Sequence, residues 1–322
     1  MSNILKAFIN TIKSYQSNVS TMTNGNNRAN NMGAGLEEFI KDIFAGTINE
    51  TNEQNRLTKF SQTYSYSGNK NNPPDLILQN SDAIEIKKLE SHNTAIVLNS
   101  SYPKAKLFSN SSMITTACRN CEENWTVKDM LYVIGNVPKN TNSLKSLWLV
   151  YGDCFCADKE VYERIKDTIS TGITTIPNVE FTETNELGKV KKVDPLGITD
   201  LRIRGMWHIE NPTKIFNYIY SYDETKSFQL ICLMKKEKYE SMPLADRQTI
   251  ENLNNPNNKS DDLEKVVERA VIKALEKHNF TNVNYPLPRN KRNINDAGRE
   301  YIVTSADVGT SYARLYSIIE EK

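Results

Sequence analysis

The sequence predicts an α/β fold, a mixed central sheet with helices on both sides. Three observations predict it. Two short arms around residues 74–78 and 83–87 flank the turn residues Gln79-Asn80-Ser81-Asp82 and read as a hairpin. Two apolar runs of strand length lie within residues 129–136 (Met-Leu-Tyr-Val-Ile-Gly) and 146–152 (Leu-Trp-Leu-Val-Tyr) and fit strands buried on both faces. Around these strands lie segments whose apolar residues recur at helical spacing.

Taken in order, residues 3–16 read as a helix with Ile4, Leu5, Phe8, Ile9 and Ile12 as its stripe. An Asn-, Ser- and Thr-rich stretch follows and ends at 27–35. A second helix is predicted over 34–45, with Leu36, Phe39, Ile40 and Ile43 inward and Glu37, Glu38 and Lys41 elsewhere on it. The region 60–66 leads into the hairpin, and 111–124 reads as helical. After the two buried strands, 159–171 is predicted as a helix with Val161, Ile165 and Ile169 facing the core. Arg202 and Arg204 alternate with Leu201 and Ile203, which puts both guanidinium groups on one strand face. Residues 213–221 and 227–234 supply two more apolar elements. The composition changes beyond about 240. Residues 251–262 are polar and linker-like. Asp261-Asp262 caps a predicted amphipathic helix to His278, and a terminal helix is predicted over 311–320, after a basic cluster of Arg289, Lys291, Arg292 and Arg299. The expected division is a main domain, 1–245, and a helical C-terminal extension, 246–322.

A chain of 322 residues buries a substantial core in one or two domains. Mean hydropathy is −0.56 and no run of about 18 apolar residues occurs, so a soluble, non-membrane protein is expected. The N-terminus lacks the long apolar segment of a signal peptide, and a cytoplasmic location is expected. A net charge of +1 excludes a strongly basic nucleic-acid coat, while leaving local basic patches free to bind DNA. Cys118-x-x-Cys121 with Cys154-x-Cys156 has the residues of a four-thiolate zinc site. The second pair has one intervening residue and no knuckle, so reduced thiols are the better reading.

The chemistry concentrates in the hairpin. Glu85 and Lys87 share one strand face while Ile84 and Ile86 point to the core, and Asp75, after Pro73-Pro74, starts the partner strand where it faces Glu85. Two carboxylates and one ammonium in a small space suit a hard divalent cation, a water beside it and a phosphate. A strand-borne Glu-x-Lys alone is usually a solvated face. Pro-Asp at hairpin distance before an apolar strand makes the pattern the PD-D/ExK signature of a large nuclease superfamily.

Further blocks occur in order: Asn27-Arg28-Ala29-Asn30, Gly35-Leu36-Glu37-Glu38, Asn72-Pro73-Pro74-Asp75, the 82–88 and 99–107 segments, Asp194-Pro195-Leu196 and Arg202-Ile203-Arg204-Gly205-Met206-Trp207. Together, over residues 5–235, they resemble the NgoPII-type type II restriction endonucleases. The resemblance implies a PD-D/ExK restriction-endonuclease-like core and a homodimer that cuts double-stranded DNA at a short palindrome. The site is expected to be G/C-rich, as GGCC is, and a cognate DNA methyltransferase to be its functional counterpart. It implies Mg²⁺, with Mn²⁺ able to substitute, held by Asp75, Glu85 and the backbone carbonyl of Ile86. Lys87 is then expected to position the attacking water and Glu38 to support the metal site, with Glu37 competing for that role.

The expected DNA contacts are Arg28, Asn30, Asn31, Ser101, Lys104, Lys106, Arg202 and Arg204. Lys104 and Lys106 follow the second catalytic strand and suit phosphates. Arg202 and Arg204 suit guanine O6 and N7. Against these stand plain alternatives: a solvated helix residue for Glu38, surface lysines, a salt-bridged strand face for the arginines, and a core position for Trp207. His92 and His208 have no partner pattern for acid–base work. Two other functions fit the same pattern, a structure-selective repair or recombination nuclease and a non-catalytic DNA-binding module.

Overall fold

The computed structural model describes residues 1–14, 28–69, 72–98, 101–184, 187–217, 220–253, 269–275 and 312–319; for 28–33 and the last two stretches it describes the backbone. The chain opens with α1 (Ile4–Ser14), α2 (Arg28–Ala45) and α3 (Glu53–Thr63). Strands β1 (Tyr64–Asn69), β2 (Asn72–Leu78) and β3 (Ala83–Leu89) follow, then β4 (Ile96–Leu98), β5 (Lys106–Phe108) and the single turn α4 (Thr116–Arg119). The strands β6 (Val127–Asn136) and β7 (Ser146–Tyr151) lead to α5 (Lys159–Thr174). Short strands β8 (Glu180–Thr182), β9 (Gly188–Lys191), β10 (Leu201–Ile203) and β11 (Trp207–Ile209) precede α6 (Pro212–Ile215). Then come β12 (Gln229–Lys235), α7 (Lys236–Ser241), α8 (Leu244–Leu253), β13 (Arg269–Leu275) and β14 (Tyr312–Ile319).

The central sheet has the order β1-β2-β3-β6-β7-β12-β13-β14, with β5 against the start of β6. It is mixed: β3 with β6, β7 with β12 and β12 with β13 run parallel, and the other neighbours antiparallel. One face packs against α1 and α2, where Ile4, Phe8, Ile12, Leu36 and Ile40 meet Ile84, Leu131 and Leu149. The other face holds Ile77, Met130, Trp148 and Ile231 together with Leu107 and Phe216. Alternate residues of β6 and β7 thus enter different cores, which is why both strands are apolar at nearly every position. Two small sheets, β10-β9-β8 and β11-β4, complete the described residues.

Local chemistry accounts for the helix starts. Asn3 Oδ1 accepts the Lys6 N–H at 3.0 Å and caps α1, and Asn52 accepts the Asn55 N–H at the head of α3. α3 carries no apolar stripe and buries no residue, so periodicity alone does not reveal it. α2 begins at Arg28, earlier than the predicted 34, and only the turn α4 forms within the predicted helix 111–124. In α5, Ile165 and Ile169 are exposed and face no core.

The predicted helical C-terminal extension is corrected. Of the stretch predicted as a helix ending at His278, residues 269–275 form a strand, and 312–319 form another. A seven-residue run such as Arg269-Ala-Val-Ile-Lys-Ala-Leu suits either state by pattern. The open edge of β12 offers backbone hydrogen bonds, and the parallel register Gln229↔Arg269 through Lys235↔Leu275 takes them. The basic cluster Arg289, Lys291, Arg292 and Arg299 lies outside the described residues.

Candidate active site

β2 and β3 pair at Leu76↔Ile84 and Ile77↔Ala83, and the ladder goes no further. One more step along both arms reaches Asp75 and Glu85. Prolines precede Asp75, and neither has an N–H to give to a ladder. The carboxylate itself takes the place of the missing partner, since Asp75 Oδ2 accepts the Ile86 N–H at 2.6 Å. Lys87 Nζ donates to Glu85 Oε1 at 2.6 Å. The other oxygen, Glu85 Oε2, is buried without a hydrogen-bond partner.

The electrostatics follow from this crowding. Burial, then the charge of Glu85, push Asp75 up to about 7; Lys87 and the Ile86 N–H pull it down, and Glu37 adds to the rise. Burial disfavours the Lys87 ammonium, but Glu85 and Asp75 outweigh it and leave Lys87 raised. The cluster therefore has more negative charge than one lysine neutralises. With the unpartnered Glu85 oxygen, that excess fits a hard cation held by oxygen ligands.

The two glutamates of α2 have separate fates. Glu38 accepts from Arg56 at 2.7 Å and from Lys41 at 2.9 Å, and Arg56 also holds Asp42 at 2.8 Å. Burial raises Glu38, but Lys41 and Arg56 leave it lowered. Glu37 binds Lys41 at 2.9 Å and is the α2 carboxylate whose charge acts on Asp75. Gly135 of β6 lets α2 sit this close, since a Cβ there would lie 2.7 Å from Leu36 Cδ2.

Lys104 departs from the surface position expected of it; it is 6% exposed. Tyr132, paired with Glu85 across the β3–β6 ladder, accepts the Lys104 N–H through its hydroxyl at 2.7 Å. Lys104 Nζ donates to Ser101 Oγ and to the Tyr102 carbonyl, the latter at 3.1 Å. Burial pulls its pKa down to about 8, with Glu85 acting upward and Lys87 downward. Lys104, with Ser101 as its hydrogen-bond partner, thus comes into the electrostatic neighbourhood of Glu85 and Lys87. Gly152 makes room for them, because a Cβ at that position would meet the Lys104 carbonyl oxygen at 2.3 Å.

A cavity of about 380 Å³ adjoins this segment, lined among others by Tyr102, Lys104, Lys106, Lys159, Lys166 and Trp207. Lys106 is half-exposed and paired with Asp129. Asp129 in turn binds Lys238 at 2.6 Å, and Lys238 binds Asp82 at 2.7 Å. The Tyr151 hydroxyl donates to Asp82 at 2.6 Å. This network, unforeseen in the sequence because its members lie far apart in the chain, ties α7 to the residue that precedes β3.

The remaining expected residues lie elsewhere. Arg202 sits on β10 and Arg204 just past its end, both exposed, on the small three-stranded sheet. Arg28, Asn30 and Asn31 fall in the first turn of α2, and their side chains lie outside the described residues. The five cysteines are free thiols. Among the described residues no three His, Cys, Asp or Glu side chains form a metal-holding group, so Asp75 and Glu85 are a two-carboxylate set.

Comparison with known proteins points one way. The family model for the NgoPII restriction endonuclease matches residues 2–266. The type II restriction enzyme NgoPII of Neisseria gonorrhoeae is 46% identical over 245 residues, covering 76% of this chain and 87% of its own length. No solved structure matches.

Proposed function

The chain belongs to the NgoPII restriction endonuclease family and is a type II restriction enzyme, a site-specific deoxyribonuclease, and from that premise we propose how it cuts. The single observation that carries the proposal is the cluster of Asp75, Glu85 and Lys87 where the β2–β3 ladder opens. We read it as a PD-D/ExK site. Asp75, Glu85 and the carbonyl of Ile86 hold Mg²⁺, or Mn²⁺ in its place. When bound, the cation supplies an acidified water and positive charge at the phosphate.

The chain's own groups do the rest. Lys87, oriented by Glu85, positions the water in line with the scissile bond, and the product carries a 5′-phosphate. Glu37 takes the supporting role considered for Glu38, because Glu38 is engaged by Arg56. Ser101, Lys104 and Lys106 meet the DNA backbone beside the cut, and Arg202 and Arg204 read bases, with Arg28, Asn30 and Asn31 as further contacts. The groups that cut lie within residues 1–245, on a sheet that β13 and β14 extend. The enzyme acts in the cytoplasm as a homodimer on a GGCC-like palindrome, each subunit meeting one strand in the same way. A cognate methyltransferase protects the host site. Among the described residues no helix is long and apolar enough to cross a membrane.

The test is digestion of a plasmid of known sequence with Mg²⁺, Mn²⁺ or Ca²⁺, followed by end mapping. Discrete fragments with 5′-phosphate ends are expected with Mg²⁺ and Mn²⁺, and binding without cutting with Ca²⁺. Asp75→Ala and Lys87→Ala should bind the mapped site and leave it intact. Near-wild-type cutting by Lys87→Ala would remove the assignment.

A further inference from the structure

The β9–β10 hairpin carries an exposed apolar tip that the cutting chemistry does not use. Leu196 is 81% and Ile198 79% exposed. The tip is built, not loose. Asp194 accepts the N–H groups of Leu196 at 3.0 Å and Thr199 at 2.7 Å through its carboxylate. Its carbonyl accepts the Gly197 N–H at 2.9 Å, and the Thr199 carbonyl accepts the Val193 N–H at 2.9 Å. Gly197 has φ +69°, a conformation that favours glycine. Asp194 thereby turns Leu196 and Ile198 out to solvent, where water disfavours them.

The strands below the tip are basic. Residues 188–205 hold Lys189, Lys191, Lys192, Arg202 and Arg204 against Asp194 and Asp200. The register sets Arg202 opposite Lys189, although Lys189 also binds Asp200 at 2.5 Å. Lys192 pairs with Glu180. An apolar tip projecting from the basic β8–β9–β10 sheet complements a duplex, with phosphates outside and stacked bases within. Sheet-borne readers use the major or the minor groove, and apolar wedges are a device of the minor groove.

We propose that the β9–β10 hairpin enters a groove of the bound duplex and seats Leu196 and Ile198 between adjacent base pairs as an apolar wedge, its basic residues lying along the flanking phosphates. Proteins that unstack a base step with Leu or Ile recover the cost through the extra surface that the deformed DNA covers. The proposal rests on the chain's action on DNA and not on the metal assignment.

The experiment uses the full-length protein and duplexes carrying the mapped cleavage site. 2-Aminopurine replaces each purine in turn, and binding is followed in Ca²⁺ and in EDTA. Wild type should raise the fluorescence at one base step by several-fold, the mark of unstacking. The Leu196→Ala/Ile198→Ala double variant should keep its Tm, lose that rise and bind roughly tenfold more weakly. Leu196→Met should retain the rise. Unchanged fluorescence at every step in wild type, or wild-type binding by the double variant, overturns the wedge. So does sedimentation showing that the double variant turns a DNA-free dimer into monomers, since the tip would then cover a second copy. A fluorescence rise in a wild-type protein whose cutting does not depend on Mg²⁺ or Mn²⁺ would support the wedge and count against the metal reading alone.

Discussion

Asp75 rises to about 7 because burial and Glu85 both oppose its charge. An unfolded aspartate titrates near 3.9, so folding favours the protonated acid. The resulting stability is fully present below about pH 4 and is lost as pH rises through the folded value near 7. In EDTA, Asp75→Asn should therefore melt higher than wild type at pH 8, and the gain should vanish toward pH 4. Mg²⁺ at pH 8 should raise the Tm of wild type more than that of the variant. Equal melting curves at pH 8 would show that no charge is crowded there. Lys104 is displaced the opposite way, to about 8, chiefly by burial. Folding favours its neutral amine, a contribution present above the unfolded value of about 10.4 and lost as pH falls through 8. A phosphate beside it, where the proposal puts the DNA backbone, would restore the charge. DNA binding should then take up a proton near pH 8 and weaken between pH 7 and pH 9. Calorimetry in buffers of different ionisation heat measures this, and Lys104→Met should abolish the uptake.

Among the elements, α2 gives two adjacent glutamates different partners, and the proposal assigns them different roles. Glu38 belongs to the pairing with Arg56 and Lys41 that joins α3 to α2. Glu38→Gln should cost about 1 kcal/mol or less in stability, since the pair is partly exposed, and leave cutting near wild type. Glu37→Gln should do the reverse, lowering the cutting rate with little change in Tm. Denaturant melts paired with initial rates distinguish the two. The 101–108 segment makes a second case. It passes so close to Gly152 that Gly152→Ala must push backbone aside, not a flexible side-chain end. The variant should fold and bind DNA but cut at least tenfold more slowly, because Lys104 moves with the segment. Wild-type rates would show that the segment's position is not coupled to the cut.

At the scale of the molecule, the sheet does not stop at the last strand foreseen. β12 is buried along nearly its whole length and pairs with both β7 and β13. A chain ending at Leu253 would leave that long apolar strand as an open edge. It should express poorly or self-associate, as light scattering would report, whereas a dispensable tail would leave a soluble, active enzyme. The whole-molecule proposal of a two-fold dimer is checked by sedimentation of the full chain with and without the mapped duplex.

The hairpin was legible from residues alone, because an Asp before one apolar arm and Glu-x-Lys on the other leave few alternatives once strand alternation applies. The two buried strands were legible for the same kind of reason, since a six-residue run with no polar position has nowhere to go but a core. Family membership followed from several short blocks in fixed order. Pattern could not show that Glu38 is held by Arg56 while the charge of Glu37 acts on Asp75, because Arg56 belongs to a helix with no apolar stripe. It could not show that Lys104 is buried, which depends on Tyr132 and on the missing side chain of Gly152. Nor could it assign β13 and β14. A short apolar run satisfies helix and strand equally, and only the unpaired backbone of β12, presented by the folded sheet, decides between them.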